Sequence, residues 1–211
     1  MTIPIELAAG YRRFRQERFA IEAERYRALG AGQRPQTMII GCADSRVDPA
    51  TIFTAAPGEL FVARNVAALV PPCEESGSYH GTSAAIEFAI EALEVRNIVV
   101  MGHGMCGGIA AALAAAQHRP VGRFIAPWVD LVSAVRDELL QRANSGDAAA
   151  RQKALEHLAV QHSLRNLTTF PFVCSAIGAG RLALHGAWFS IRDGELWWLN
   201  ADTGAFEQVP A

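Results

Sequence analysis

The sequence TMIIGCADSR, residues Thr37–Arg46, decides the predicted fold. Its apolar run from Met38 to Gly41 is followed at once by polar residues, a pattern typical of a buried strand that ends in a loop. Similar runs occur at Glu59–Ala63 and Asn97–Met101. Each of the three segments is therefore predicted to be a strand.

The order of the elements around these strands indicates the fold class. Tyr79–Val95 carries apolar residues at helical spacing and lies between the second and third predicted strands, so a parallel sheet with right-handed crossovers is expected. Near the end of the chain, Asp193 and Gly194 separate the apolar segments Leu182–Ile191 and Glu195–Asn200, which predicts a hairpin. We expect an α/β fold with a mainly parallel central β-sheet, flanking helices and an antiparallel C-terminal hairpin.

The first part of the chain is predicted to be a helical arm. Ile5–Leu29 is amphipathic, and its apolar side packs either on a partner subunit or on its own domain; the sequence leaves both open. Residues 1–211 are interpreted as a single domain, with residues 1–35 as the N-terminal arm. Further helices are predicted at Gly107–Gln117, Trp128–Ala143 and Ala148–Leu167, with a break at Asn144–Asp147.

The composition excludes several classes of protein. The 211 residues are 51% hydrophobic and 19% charged, with a net charge of -2, which indicates a folded core and argues against a nucleic-acid binder or a polybasic membrane-surface protein. Met1–Ala20 contains too many arginines for a secretory signal, and glycines interrupt the apolar segment Asn97–Ala116, so no membrane span is predicted. We expect a cytoplasmic protein with a small-molecule ligand.

Three metal-binding side chains follow two of the predicted strands. Cys42 ends the first strand, and His103 and Cys106 follow the third. Because the carboxyl ends of neighbouring parallel strands meet at one crevice, these donors are expected to converge. Thiolates and imidazole are the ligands that zinc prefers, and three of them leave the fourth position for water, as in catalytic zinc sites. Cys73 and Cys174 match no ligand motif.

The two motifs CADSR, starting at Cys42, and HGMCGG, starting at His103, strongly resemble those of the β-carbonic anhydrases. The resemblance covers most of the chain. It implies one Zn²⁺ per chain on Cys42, His103 and Cys106, an Asp44–Arg46 catalytic dyad, and an α/β sheet assembled as a homodimer or higher homo-oligomer. The implied reaction is the reversible hydration of carbon dioxide to bicarbonate and a proton by zinc-bound hydroxide. Bicarbonate is then the second small-molecule partner.

The same resemblance implies a substrate pocket. It places Phe61, Val66 and Phe88 in an apolar pocket for carbon dioxide, which suits the apolar substrate. Gln33 is implied as a polar donor. Gly107, at the start of the helix after Cys106, can offer a backbone N–H to the anion.

Two positions depart from patterns found in parts of the family. Phe88 stands where many plant-type members carry Tyr, so a hydroxyl group is missing from the substrate site. Ile39 stands where the bicarbonate-inhibited members carry the Trp of a second bicarbonate site. Arg64, which occurs in both groups, is therefore expected to have a structural role only.

Three other functions compete with this interpretation. Gly102, Gly104 and Gly107 fit the spacing of a dinucleotide-binding loop, but that motif needs a second strand ending in Asp or Glu about twenty residues later, and Ala112–Trp128 provides none. A structural zinc module normally uses four ligands. A hydrolase of a related small molecule, such as carbon disulfide, would share the site, and the sequence leaves that open.

Overall fold

The computed structural model of the chain describes residues 3–74, 80–142 and 147–210. Tyr79 and residues 143–146, which belong to predicted segments, lie outside the described residues. None of the described helices combines the length and apolar character needed to cross a membrane.

One sheet of six strands organises the described part of the chain. Its strand order is β2-β1-β3-β4-β5-β6, with the first four strands parallel and the last two added antiparallel. The predicted α/β fold and its C-terminal hairpin are therefore confirmed, while the short sixth strand was not predicted. The strands are β1 Thr37–Cys42, β2 Leu60–Asn65, β3 Asn97–His103, β4 Ala183–Ser190, β5 Glu195–Leu199 and β6 Phe206–Gln208.

The uninterrupted apolar sequence of β1 follows from its central position. Met38 and Ile40 are buried in the same apolar layer as Val100 of β3. Ile39 points to the other side of the sheet, where it packs with Val99. Since successive side chains of a strand point to opposite faces, both faces of β1 are apolar because both are covered.

The helices agree with the predicted positions apart from local breaks. A π-helical turn at Phe14–Arg18 divides the predicted N-terminal helix, and another at Phe88–Ala92 extends α4. The segment predicted as one helix from Trp128 is divided into a helix at Ile125–Val129, a 3₁₀ turn at Asp130–Val132 and a helix at Ser133–Arg142. The α-helices are α1 Ile5–Arg13, α2 Phe19–Leu29, α3 Pro49–Ile52, α4 Gly81–Glu87, α5 Gly107–Ala116, α6 Ile125–Val129, α7 Ser133–Arg142, α8 Ala148–Leu167 and α9 Pro171–Gly178.

The N-terminal arm, α1 and α2 with the π-helical turn between them, contains no buried residue. Ile5 and Ile21 are 79% and 86% exposed. Arg25 forms an exposed ion pair with Glu59, 3.2 Å between Nη1 and Oε1, which joins the arm to the start of β2. The described chain thus does not bury the apolar side of the arm on its own domain. The interpretation of residues 1–211 as a single domain stays a prediction.

A tight contact fixes the chain after β2 against the start of α5. Ala67 and Ala68 both have left-handed backbone angles, with φ of 68° and 56°, and the peptide there packs directly on Gly108. A Cβ atom at Gly108 would lie 2.7 Å from Val66 Cγ1 and 2.8 Å from Ala67 Cβ. Glycine is needed at this position because no side-chain atom fits between the two segments.

We therefore expect Gly108→Ala to lower the free energy of unfolding by about 1–3 kcal/mol, the usual cost of overpacking. Gly107→Ala is the matched control, because a Cβ atom at Gly107 meets no atom within 4 Å. Urea unfolding of both variants measures the difference. Equal stability of the two variants would show that the contact is not tight in solution.

Candidate metal centre

The three predicted donors meet at the carboxyl edge of the sheet. Cys42 is the last residue of β1, His103 is the last residue of β3, and Cys106 is the residue that precedes α5. Strands β1 and β3 are adjacent and parallel, so their ends lie side by side. The donor atoms of the three residues all lie within 4.8 Å of one another, and all three residues are buried.

The two sulfur atoms are in hydrogen-bond contact. Cys42 Sγ lies 4.0 Å from Cys106 Sγ. The hydrogen bond between them lowers the pKa of the Cys42 thiol. The same hydrogen bond, together with burial, raises the pKa of the Cys106 thiol. A divalent cation bound by both sulfurs would favour the thiolate form of each.

The histidine presents a free lone pair to the sulfurs. His103 Nδ1 lies 2.9 Å from its acceptor, the carbonyl oxygen of Gly104, which places the proton on Nδ1. His103 Nε2 is buried and has no hydrogen-bond partner among the described residues. A buried nitrogen without a partner is costly unless it binds something. Two thiolates and one imidazole nitrogen therefore fit a zinc ion in both chemistry and placement.

Asp44 and Arg46 form a bidentate pair beside these donors. Arg46 Nε donates to Asp44 Oδ1 at 2.9 Å, and Arg46 Nη2 donates to Asp44 Oδ2 at 2.7 Å. These hydrogen bonds hold the pKa of the Asp44 carboxyl well below its usual range. Asp44 Oδ2 also lies 4.0 Å from His103 Nε2. The carboxylate is thus ionised, oriented by Arg46, and adjacent to the donor set.

Arg64 holds the loop that carries the dyad. Its Nε donates to the carbonyl oxygen of Cys42 at 2.8 Å, and its Nη2 donates to that of Asp44 at 2.6 Å. Ile39, on the adjacent strand, is buried in the sheet. These contacts agree with the structural role expected for Arg64. Its partners, the backbone carbonyl groups of Cys42 and Asp44, could not be predicted from the sequence.

Two of the predicted substrate-binding residues lie beside the donors. The side chain of Val66 faces Gly108 in the first turn of α5, directly after Cys106, and its carbonyl oxygen accepts a hydrogen bond from Trp128 Nε1 at 2.7 Å. Gly107, the first residue of α5, is exposed and has open space on its Cα. Gly107 directly follows Cys106, and Val66 directly follows Asn65, the register partner of Cys42.

One chain does not bring Gln33, Phe61 and Phe88 to the donors. Phe61 is the register partner of Met38. Met38 lies four residues before Cys42 on β1, a distance of about 13 Å along the strand. Phe88 stacks on Phe61 with ring centroids 5.8 Å apart and is 49% exposed. Gln33 lines a polar cavity with Arg34 and Arg96, before the start of β3. Within one chain these three residues lie away from the donors, and their place in the substrate pocket stays a prediction.

Two glycines of the possible dinucleotide loop allow close packing of neighbouring elements. A Cβ atom at Gly102 would lie 2.8 Å from Val160 of α8, and one at Gly104 would lie 3.0 Å from Trp188 of β4. These glycines let α8 and β4 approach the loop. After the helix that begins at Gly107, the described chain continues through further helices and forms no strand before β4. The dinucleotide-binding motif therefore lacks its second strand.

Comparison with known proteins gives one consistent family. Residues 37–196 match the family profile described as carbonic anhydrase. The chain is 34% identical over 93% of its length to "Beta carbonic anhydrase 6, mitochondrial" of Arabidopsis thaliana, and it spans 68% of that protein. It superposes on the β-carbonic anhydrase CcaA with a TM-score of 0.91 and 29% identity, covering 97% of this chain and 98% of that one. It also superposes on a tetrameric β-carbonic anhydrase of Sordaria macrospora with a TM-score of 0.73 and 30% identity, over 93% of each chain.

The fold and the donor set together define an α/β zinc protein with a three-ligand centre. With these relatives, the chain belongs to the β class of the carbonic anhydrase family. Members of this family use zinc and catalyse the reversible hydration of carbon dioxide, so they are lyases. The zinc cofactor and the activity expected from the sequence are therefore confirmed for the family, and Cys42, His103 and Cys106 form a group that could hold the metal.

We expect Cys106→Ala to lose most of its zinc, because one thiolate and the charge balance of the site are removed. Zinc content per chain, measured by atomic emission after gel filtration, tests this. Cys73→Ala is the matched control and should keep the wild-type content of one ion per chain, since Cys73 lies outside the donor set. Full zinc content in Cys106→Ala would contradict the assignment.

Proposed function

We propose that this chain hydrates carbon dioxide with Cys42, His103 and Cys106 as the zinc ligands and with Asp44 and Arg46 as the catalytic dyad. The observation that carries the proposal is the bidentate Asp–Arg pair, which lies against a buried set of two sulfurs and one unpartnered nitrogen. When bound, zinc supplies a Lewis acid that makes a coordinated water more acidic.

Asp44 orients the attacking water in this proposal. Its carboxylate is held by Arg46 and accepts a hydrogen bond from the water, so that an oxygen lone pair points at the carbon of carbon dioxide. Arg46 also donates to the carbonyl oxygen of Met105 at 3.2 Å, which joins the loops after β1 and β3. Arg46 thereby keeps the Asp44 carboxylate ionised and in one orientation.

Val66 and Gly107 supply different parts of the substrate site. The Val66 side chain offers an apolar surface to carbon dioxide, and its position is fixed by the contact with Gly108. The backbone N–H of Gly107, in the first turn of α5, is directed to bind the bicarbonate that forms. In this proposal, Val66 provides the apolar surface for the substrate and Gly107 the hydrogen-bond donor for the product.

The dyad gives a direct test of the mechanism. We expect Arg46→Ala and Asp44→Asn to keep zinc but to lose hydration activity by about 100-fold or more, since positioned acid–base and orienting groups contribute rate factors of this size. Stopped-flow hydration of carbon dioxide and zinc analysis are measured on the same samples. Arg142→Ala, which removes an exposed ion pair on α7, is the control. Substantial activity in either zinc-loaded dyad variant would remove the dyad from the mechanism.

The remaining substrate residues are proposed to act from a second copy of the chain. Gln33, Phe61 and Phe88 do not reach the donors within one chain, and the arm leaves its apolar residues exposed. A homodimer or larger homo-oligomer would bury both surfaces, and tetramers are described for the Sordaria macrospora relatives. The aromatic pair and the glutamine would then complete the apolar and polar walls of the partner's pocket.

We expect the wild-type chain to sediment as a dimer or larger species and the double variant Leu7→Glu, Ile21→Glu to shift towards monomer. Both leucine and isoleucine are exposed on the arm, where a glutamate disfavours burial on another copy. Sedimentation velocity measures the shift, and Arg12→Ala, on α1 with Leu7, is the control. A wild-type chain that is monomeric and fully active would contradict the proposed assembly.

Substrate choice and location complete the proposal. Carbon dioxide is proposed as the substrate, and assaying carbon disulfide hydrolysis alongside hydration separates the two chemistries. A cytoplasmic location is proposed because the four cysteines are free thiols, which suits a reducing compartment. Fractionation of the producing cells tests the location.

A further inference from the structure

A buried carboxylate lies directly behind the metal ligand Cys106. Glu156 of α8 is 3% exposed, and its Oε1 accepts a hydrogen bond from the backbone N–H of Cys106 at 3.0 Å. Its Oε2 accepts one from Trp188 Nε1 at 3.1 Å. Both carboxylate oxygens thus accept a hydrogen bond. One of these hydrogen bonds comes from the backbone of Cys106, a residue of the metal-binding group.

Gln152, one turn earlier on α8, holds the other side of the same residue. Its Nε2 donates to the carbonyl oxygen of Cys106 at 3.3 Å and to Glu156 Oε1 at 3.1 Å. The N–H and the carbonyl group of Cys106 are therefore both fixed by side chains of one helix. Because Gln152 also contacts the carboxylate, the two side chains form a single hydrogen-bonded unit.

The loop that this unit holds is conformationally demanding. Met105, immediately before Cys106, has a left-handed backbone with φ of 57°. A non-glycine residue in that region is strained, and it persists only where surrounding contacts impose it. Trp188, which donates to Glu156, also packs against Gly104 at the other end of the loop. The loop from Gly104 to Cys106 is thus held at both ends.

Core packing alone does not account for a carboxylate at this position. A buried carboxylate loses favourable hydration, which an apolar side chain of similar size would not lose. Three N–H groups compensate that loss, and the only backbone group among them is that of Cys106. The placement is explained if the direction of the Cys106 sulfur must be set more precisely than apolar packing can set it.

We infer that Glu156 and Gln152 are positioning residues that hold the Cys106 backbone so that its sulfur is directed towards Cys42 and His103. This inference rests on the proposed function only in taking Cys106 as a zinc ligand. Helix α8 contains none of the motifs that carry the metal ligands. The inference gives this helix a role in orienting one of those ligands. Because the unit acts through the backbone of Cys106, its loss changes the geometry and the affinity of the metal site.

The test uses metal binding rather than activity alone. In Glu156→Gln, one amide oxygen replaces two carboxylate oxygens, so it can serve either Cys106 or Trp188 but not both. Gln152→Ala removes the contact to the Cys106 carbonyl from a partly buried position and tests the inference if Glu156→Gln does not fold. Gln161→Ala is the matched control, because Gln161 of the same helix donates to a carbonyl remote from the centre, that of Gly204, at 2.8 Å.

We expect the zinc dissociation constant of Glu156→Gln and Gln152→Ala, measured by chelator competition, to rise about tenfold or more, as is usual when a partner of a metal ligand is removed. The charge-transfer and d–d absorption bands of the Co²⁺-substituted variants should shift relative to wild type. The control should match wild type in both measurements. A purely structural role would lower the melting temperatures of the apo and zinc-loaded forms equally and leave the spectrum unchanged.

The outcomes separate this inference from the proposed function. Wild-type affinity and an unchanged Co²⁺ spectrum in folded Glu156→Gln and Gln152→Ala would overturn the inference and leave the zinc assignment intact. A wild-type chain that bound no zinc, or that bound it without Cys106, would instead overturn the proposed function.

Discussion

The parallel pairing of β1 with β3 is the constraint on which the site depends. It brings Cys42 and His103, 61 positions apart in sequence, to adjacent strand ends, and the turn after β3 adds Cys106. The result is a buried group of two sulfurs and one nitrogen. A bound cation would neutralise the thiolate charges and accept the lone pairs of all three atoms. The neighbouring side chains hold that buried, electron-rich group in place.

The contacts that hold this group come from three parts of the structure. Arg64 on β2 holds the loop after β1 by its carbonyl groups, and Arg46 binds Asp44 in a fixed orientation. Helix α8 approaches from behind with Gln152 and Glu156. Each contact reaches the donor set through backbone groups or through Asp44. The site is thus rigid because strands, loop and helix hold it together, which is what a preorganised catalytic centre requires.

The fold was largely predictable because its strands obey local rules. Each of the first three strands is an apolar run bounded by polar residues, and the Asp193–Gly194 turn identifies the hairpin. Strand β6 was missed because three residues, Phe206–Gln208, carry no periodic pattern. The π-helical turn within the arm was missed for a related reason, since such a turn keeps helical backbone angles and leaves little trace in the apolar spacing.

The sequence by itself predicted the donor set, because cysteine and histidine stand at the ends of neighbouring parallel strands, and its resemblance to the β-carbonic anhydrases implied the Asp44–Arg46 pair. The tertiary structure alone decided the role of Glu156, since a glutamate on an amphipathic helix normally faces solvent, and its burial here depends on β3 and β4 packing beneath α8. It also decided that Gln33, Phe61 and Phe88 lie away from their own chain's donors. Position along a strand and contacts between distant segments are set by the packed sheet, and local sequence does not encode them.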